Sequence, residues 1–236
     1  MDSKPIAVSL SVVLILGLAG VAGATMVTVP LSDPSGTDAG WSVTYDDARV
    51  DLTVDQVSHD NDYVLIQLSK DFITGPNPVT RRWPAIMMDF MQRLADAETV
   101  STFRIMAESI SNQTGVEWTD FHWEVLNHND AWLDVAASGE FGIQPPPHFQ
   151  QQQWTTRAGE PNRADALDVW DGLVVTGSSY FPGVDDSDLV IQTDLTGADP
   201  LSFTFKQYPT PEPATLGLLA AGLGAALTCR RARRKP

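Results

Sequence analysis

Residues 116 to 125 read Val116-Glu117-Trp118-Thr119-Asp120-Phe121-His122-Trp123-Glu124-Val125. Apolar and polar side chains alternate from Phe121 onward, and a period of two is typical of a β-strand with one buried face. The pattern predicts that Phe121, Trp123 and Val125 face the core. His122 and Glu124 then share the opposite face.

The segment before this strand predicts its partner. Phe103 to Ile110 has the composition of a strand, and Ser111 to Gly115 contains residues that favour turns. Two strands joined by a short turn that contains glycine are typical of a β-hairpin.

Most of the region from Thr25 to Thr210 has the same character. Ile86 to Met91 is predicted as a strand, although Asp89 to Ala97 can alternatively form a short helix. A long polar loop is predicted from Gln144 through Gln153. Further strands are predicted at Trp41 to Tyr45, Val50 to Val54, Tyr63 to Leu68, Leu167 to Thr176, Leu189 to Thr193 and Leu201 to Phe205.

These short strands, separated by turns rich in Gly, Asp and Pro, predict an all-β fold. We expect an antiparallel β-sandwich, and jelly-roll and immunoglobulin-like topologies fit the pattern equally well. The domain is expected to span residues 25–208, with a hydrophobic helix at each end of the precursor outside it.

Charge and cysteine content limit the function of this domain. Residues 25–210 contain nine Lys or Arg against 28 Asp or Glu, a net charge near −19. Such a surface argues against a nucleic-acid partner, because nothing would neutralise the phosphates. The single cysteine, Cys229, lies outside the domain, which excludes thiol catalysis and cysteine-based zinc sites within it.

The N-terminus has the pattern of a secretory signal peptide. Lys4 precedes an apolar run from Ile6 to Val21, and Ala22 and Ala24 are small residues at the positions that signal peptidase recognises. We therefore expect cleavage after Ala24, so that residues 1–24 are removed. The alternative is an N-terminal anchor that is retained.

The C-terminus, residues 209–236, is built from three consecutive blocks. The rigid triplet Pro211, Glu212 and Pro213 comes first, because proline fixes φ and cannot continue into a helix. An uncharged apolar segment at 214–229 then predicts a short transmembrane helix. A basic cluster follows and is expected to remain on the cytoplasmic side; it consists of Arg230, Arg231, Arg233, Arg234 and Lys235.

The order of these blocks resembles the PEP-CTERM sorting signal of exported bacterial proteins. The resemblance rests on Pro211 to Leu216, the apolar segment to Leu227, and Arg230-Arg231. It implies processing by an exosortase, a membrane-embedded cysteine protease or transpeptidase, during export from a bacterium with a Gram-negative type of envelope. It also implies a precursor in the inner membrane and a mature protein at the cell surface or in the extracellular matrix. The alternative is a plain C-terminal anchor with a proline-rich stalk.

Within the domain, the candidate binding residues are few. Asp185, Asp186 and Asp188 offer oxygen ligands of the kind calcium prefers, although EF-hand spacing is missing and a solvated acidic turn is the competing interpretation. Trp154, expected in a loop beside the glutamines, is the candidate for stacking on a sugar ring.

No catalytic residue is assigned. The sequence has neither a Gly-x-Ser-x-Gly elbow nor an His-Glu-x-x-His motif. We therefore expect a non-enzymatic exported protein that contacts extracellular polysaccharide. We expect no cofactor; calcium is the one candidate. A secreted carbohydrate-binding module is the alternative function.

Overall fold

The computed structural model describes residues 25–80, 82–126, 130–183, 188–197 and 200–210. These residues form thirteen strands, one short helix, α1 (Val135–Ser138), and a 3₁₀ turn at Asp96–Glu98. The strands are β1 (Met26–Ser32), β2 (Asp38–Asp46), β3 (Val50–Ser58), β4 (Tyr63–Phe72), β5 (Ile86–Gln92), β6 (Thr102–Asn112), β7 (Asp120–Leu126), β8 (Ala131–Asp134), β9 (Gln151–Arg157), β10 (Glu160–Trp170), β11 (Ser179–Tyr180), β12 (Leu189–Thr193) and β13 (Ser202–Thr210). The predicted all-β class is confirmed; the two terminal helices lie outside the described residues.

The strands form one continuous sheet that is nearly closed into a barrel-like shape. Their order is β1-β2-β5-β13-β7-β10-β8-β12-β6-β4-β3, with β9 added to β10 and β11 added to β6. Strand β10 joins two halves of the sheet, one formed by β1, β2, β5, β13 and β7 and the other by β8, β12, β6, β4 and β3. Its residues 166–169 pair with β7, and its residues 163–164 pair with β8. Every strand pair is antiparallel except β4 with β6, which is parallel.

Aromatic rings fill the space between the two halves. Trp41, Phe90 and Phe203 come from β2, β5 and β13, and Phe103 comes from β6 in the other half. The Phe103 ring centroid lies 5.1, 5.3 and 5.5 Å from the centroids of those three rings, in edge-to-face geometry. All four side chains are buried, so the inward faces pack as in a sandwich.

An ion pair lies inside this apolar core. Lys70 on β4 and Glu108 on β6 point inward, and both side chains are inaccessible to solvent. Lys70 Nζ donates to Glu108 Oε1, Trp123 Nε1 donates to Glu108 Oε2 at 3.2 Å, and Lys70 Nζ lies over the Phe205 ring. Burial lowers the pKa of the Lys70 ammonium group, and the charge of Glu108 opposes that shift.

The predicted hairpin between Phe103–Ile110 and the following strand is wrong. β6 pairs with β4, β11 and β12, whereas β7 pairs with β10 and β13 in the other half of the sheet. The chain crosses between the halves at residues 113–119, where Trp118 pairs with Val174. The predicted inward face of β7 is nevertheless correct, since Phe121, Trp123 and Val125 are all buried.

Two other local predictions are corrected. The glutamine run does not end a loop but begins a strand, because β9 starts at Gln151 and pairs with β10 along its length. A helix across Asp89–Ala97 is also wrong, since β5 runs through Gln92 and only a 3₁₀ turn follows. β13 continues through Thr210, two residues past the expected end of the domain, and lies between β5 and β7.

Candidate functional site at the end of β13

A polar cluster covers the outer face of β7, β10 and β13 where the last strand ends. The antiparallel registers place Asp168 and Tyr208 directly opposite His122, one on each side. Thr210, the last described residue, lies opposite Asp120. The outward orientation follows from the alternation of β7, because the neighbouring Phe121 and Trp123 point into the core.

His122 connects two of these side chains. Its Nδ1 lies 2.6 Å from Asp168 Oδ1, and its Nε2 lies 3.0 Å from Thr210 Oγ1. A carboxylate only accepts hydrogen bonds, so Nδ1 is the nitrogen that carries a proton. In the neutral imidazole, Nε2 then accepts the hydroxyl proton of Thr210. The Thr210 hydroxyl also lies 3.3 Å from Asp120 Oδ2, which competes for the same proton.

Tyr208 covers His122 from the side of β13. The two rings stack with their centroids 4.7 Å apart. Tyr208 Oη donates to Glu124 Oε1 at 2.5 Å, and Lys206 Nζ donates to Glu124 Oε2 at 2.6 Å. Burial, the hydrogen bond to Glu124, and the charges of Glu124 and Asp168 raise the pKa of Tyr208 above its usual value.

Main-chain bonds complete the attachment of the strand end. Thr119 N donates to the Thr210 carbonyl oxygen at 3.1 Å, outside the regular ladder. Thr210 is thus held by its backbone and by its side chain.

The order Asp168, His122, Thr210 matches the order of groups in a nucleophilic triad, so proton transfer from the hydroxyl to the imidazole is sterically allowed. The same contacts fix the position of the residue that precedes Pro211.

A shallow polar cavity borders the cluster. It is lined by Thr119, Asp120, Trp170, Asp171 and Gly172. Asp171 adopts φ 61°, a left-handed conformation that is unusual for a residue with a side chain. Gly172 lies against the backbone of His148 and Phe149, where a Cβ would approach backbone atoms to 2.4 Å. The tight packing at Gly172 holds the turn after β10 in place.

The predicted binding residues fall elsewhere. Trp154 lies within β9 opposite Leu167, half-buried and packed on the core, and not in a loop. Asp188 is buried and pairs with Arg104 at 2.6 Å, while Asp185 and Asp186 lie outside the described residues. Within the described parts of the chain, no group of three or more His, Cys, Asp or Glu side chains is arranged to hold a metal ion.

The predicted targeting residues lie at the two termini. Ala22, Ala24, the triplet Pro211, Glu212 and Pro213, and the basic residues 230–235 lie outside the described residues, as does the segment 214–229. Over the ranges that the structure describes, no helix is long and apolar enough to cross a membrane.

Sequence reasoning missed the cluster as a unit. The alternation placed His122 and Glu124 on the outer face of one strand. Asp168 and Thr210 lie 46 and 88 residues away from His122 along the chain, and only the strand order brings them together. The alternation of the last strand also indicates that Lys206 and Tyr208 face outward. The sequence does not specify which strand lies beside them.

Comparison with known proteins identifies the region that follows this cluster. Searches against curated proteins and against solved structures found no match. One family model, described as the PEP-CTERM protein-sorting motif, matches residues 209–235 and so begins within the last two residues of β13. The chain carries a PEP-CTERM sorting motif, which implies an exported protein that is targeted to an exosortase.

Proposed function

We propose that the protein is a non-enzymatic component of the cell surface, or of the extracellular matrix of a biofilm, in a bacterium with a Gram-negative type of envelope. Signal peptidase removes residues 1–24 during export. The apolar segment 214–229 then holds the precursor in the inner membrane, with the basic residues on the cytoplasmic side. Exosortase processes the tail at Pro211, Glu212 and Pro213.

The position of the motif relative to the fold carries this proposal. The family match begins at residue 209, and β13 ends at Thr210, so no linker separates the folded domain from the triplet. His122 and Thr119 bind Thr210 through its side chain and its carbonyl oxygen. Pro211 and Pro213 lack an amide donor and so contribute fewer hydrogen bonds to a sheet, which favours recognition of the triplet by another protein.

Substitution of the triplet tests the proposal. We expect a variant with alanines at residues 211–213, expressed in a host that has an exosortase, to accumulate with an unprocessed tail in the membrane fraction. Pro34→Ala, in an exposed turn far from the C-terminus, serves as the control and should be processed normally. An unchanged C-terminal peptide and destination in the triplet variant would reduce the tail to an ordinary anchor.

The cavity beside the cluster favours a second candidate function, binding of extracellular polysaccharide. It places the carboxylates of Asp120 and Asp171 beside Trp170, whose side chain is partly exposed. Carboxylates accept hydrogen bonds from sugar hydroxyls, and a tryptophan ring can stack on a sugar. A pull-down with matrix polysaccharide should then lose retention with Trp170→Ala, and with Trp154→Ala if β9 contributes. Retention equal to wild type in both variants would remove this candidate.

A further inference from the structure

The loops at one end of the molecule, where β13 ends, form a continuous surface. This C-terminal end includes residues 73–80, 82–85, 113–119 and 171–178 together with Thr210. Thr119 bonds to Thr210, and Trp118 pairs with Val174. Gly75 lies against the carbonyl oxygen of Thr114 and the side chain of Val116. Loop 113–119 therefore contacts both of the other loops and the end of β13, where the sorting motif begins.

Apolar side chains are exposed at this end. Val79 is 88% exposed and Ile73 is 55% exposed, although valine and isoleucine are usually buried. Val116, Val175 and Trp170, the last at the end of β10, are also exposed. We call these five residues the apolar rim.

The opposite end of the molecule differs in character. Its loops, residues 33–37, 59–62, 93–101 and 194–197, contain none of the exposed large hydrophobic side chains found among the described residues. These acidic loops carry carboxylates at Asp33, Asp60, Asp62, Asp96, Glu98 and Asp194. The C-terminal end also carries carboxylates, at Asp47, Glu117 and Asp171, so the two ends differ in their exposed apolar side chains and not in the sign of their charge. The exposed apolar loops and the acidic loops are thus separated by the length of the strands.

The length of the connecting chain restricts what can cover the rim. Four peptide units join Thr210 to Ala214, where the apolar segment begins, and they span at most about 14 Å when fully extended. The headgroup layer on each side of a bilayer is roughly 5 to 8 Å thick. If the segment 214–229 crosses the membrane, the end of β13 lies close to the headgroups.

We propose that the apolar rim rests on the outer surface of the lipid bilayer while the tail of the precursor spans it. This inference rests on the proposed function, because it requires the tail to be in the membrane. Val79 and Ile73 then enter the interfacial layer, which accepts apolar side chains, and the acidic loops point away from the membrane. Arg82, exposed in the same loop as Val79, is placed to meet lipid phosphate.

Fluorescence quenching in vesicles tests the orientation. The precursor without its signal peptide, residues 25–236 with Cys229→Ser, is reconstituted in phosphatidylcholine vesicles. It receives one labelled cysteine, either by Val79→Cys on the rim or by Ala97→Cys at the opposite end. Both positions are exposed and both changes are nearly isosteric, so the two proteins form a matched pair. A zwitterionic lipid is chosen because Glu117 and Asp171 also lie at the C-terminal end. The quencher is a nitroxide on the acyl chain just below the headgroup.

We expect the label at position 79 to be quenched at least about twofold and the label at position 97 to be unaffected. Equal, weak quenching at the two positions in protein that floats with the vesicles overturns the rim proposal while leaving the membrane tail intact. It would point to a protein, such as the processing enzyme, as the occupant of the rim. Protein that does not float with the vesicles overturns the proposed function itself, and the rim proposal falls with it.

Discussion

Lys70 and Glu108 illustrate how one residue pair can dominate the stability of the core. Both side chains are fully buried, and removal of one partner leaves the other charge without compensation in an apolar environment. We expect Lys70→Met to lower the free energy of unfolding by about 3 to 5 kcal/mol, measured by urea denaturation. The double variant Lys70→Met/Glu108→Leu should lose less than this single variant, because no charge remains buried.

The outer face supplies the matched control for that pair. Lys206 and Glu124 form an ion pair of similar chemistry at 2.6 Å, but their side chains are partly exposed. Lys206→Met should therefore cost less than about 1 kcal/mol. Equal losses from Lys70→Met and Lys206→Met would contradict the assignment of a buried, uncompensated charge at Glu108.

Ionisation of Tyr208 is expected to lower the free energy of unfolding at alkaline pH. The pKa of Tyr208 is raised in the folded protein, whereas the pKa of a tyrosine in an unfolded chain is about 10. The folded state therefore keeps the phenol proton longer, and this contribution to stability is present below about pH 10 and is lost as pH rises toward the folded pKa. We expect Tyr208→Phe to make the decline in the free energy of unfolding between about pH 9 and pH 11 less steep. Part of the decline should remain, because burial also raises the pKa of Tyr45 and of Tyr180. Glu124→Gln, which removes one of the charges that raise the pKa, should flatten the decline in part; a wild-type slope in both variants would exclude this origin.

Among the elements, the connection from β6 to β7 depends on Asn112. Its buried amide nitrogen donates to the carbonyl oxygens of Val116 and Val174, each at 2.9 Å. Its Oδ1 accepts from the amide of Thr114 at 3.1 Å and from the Thr114 hydroxyl at 2.8 Å. These bonds fix a connection that crosses between the halves of the sheet.

We expect Asn112→Ala to lower the free energy of unfolding by about 1 to 3 kcal/mol, because the hydrogen bonds of a buried amide are lost. The carbonyl oxygens of Val116 and Val174 each keep a second donor, the Thr114 hydroxyl and the Trp118 amide, which limits the loss. Asn61→Ala, in an exposed turn, is the control and should change it by about 0.5 kcal/mol or less. Chemical denaturation of both variants gives the comparison. A loss at position 112 no larger than the control would mean that the crossing is held by other contacts.

The same connection shows where sequence reasoning about elements ends. Alternation predicted the buried face of β7 because burial acts on each strand locally. It could not predict the strand partners, since a five-residue turn fits a hairpin as well as a crossing between halves. The sequence did not predict the candidate site for the same reason. His122 was correctly placed on the outer face, but its contacts with Asp168 and Thr210 depend on the strand order β13-β7-β10. Trp154 and the glutamines were taken for a loop because polarity, which an edge strand also shows, was the only local signal.

At the scale of the whole molecule, the sorting motif and the fold are directly connected. The motif match begins at residue 209, inside a strand that lies between β5 and β7. Phe203 and Phe205 on that strand are buried in the core. We therefore expect the domain to fold fully only when the chain is intact through the end of β13, and we expect any processing to occur after this strand.

We expect the mature protein recovered from cells to retain Thr210, whatever is removed or attached beyond it. Intact mass and C-terminal peptide analysis provide the measurement. As an in vitro counterpart, a chain of residues 25–210 should melt cooperatively, whereas residues 25–201 should not, because loss of β13 separates β5 from β7 and removes two phenylalanines from the core. A mature chain that ends before Ser202, or a cooperative transition in the shorter chain, would show that β13 is dispensable and that the motif is not tied to the fold.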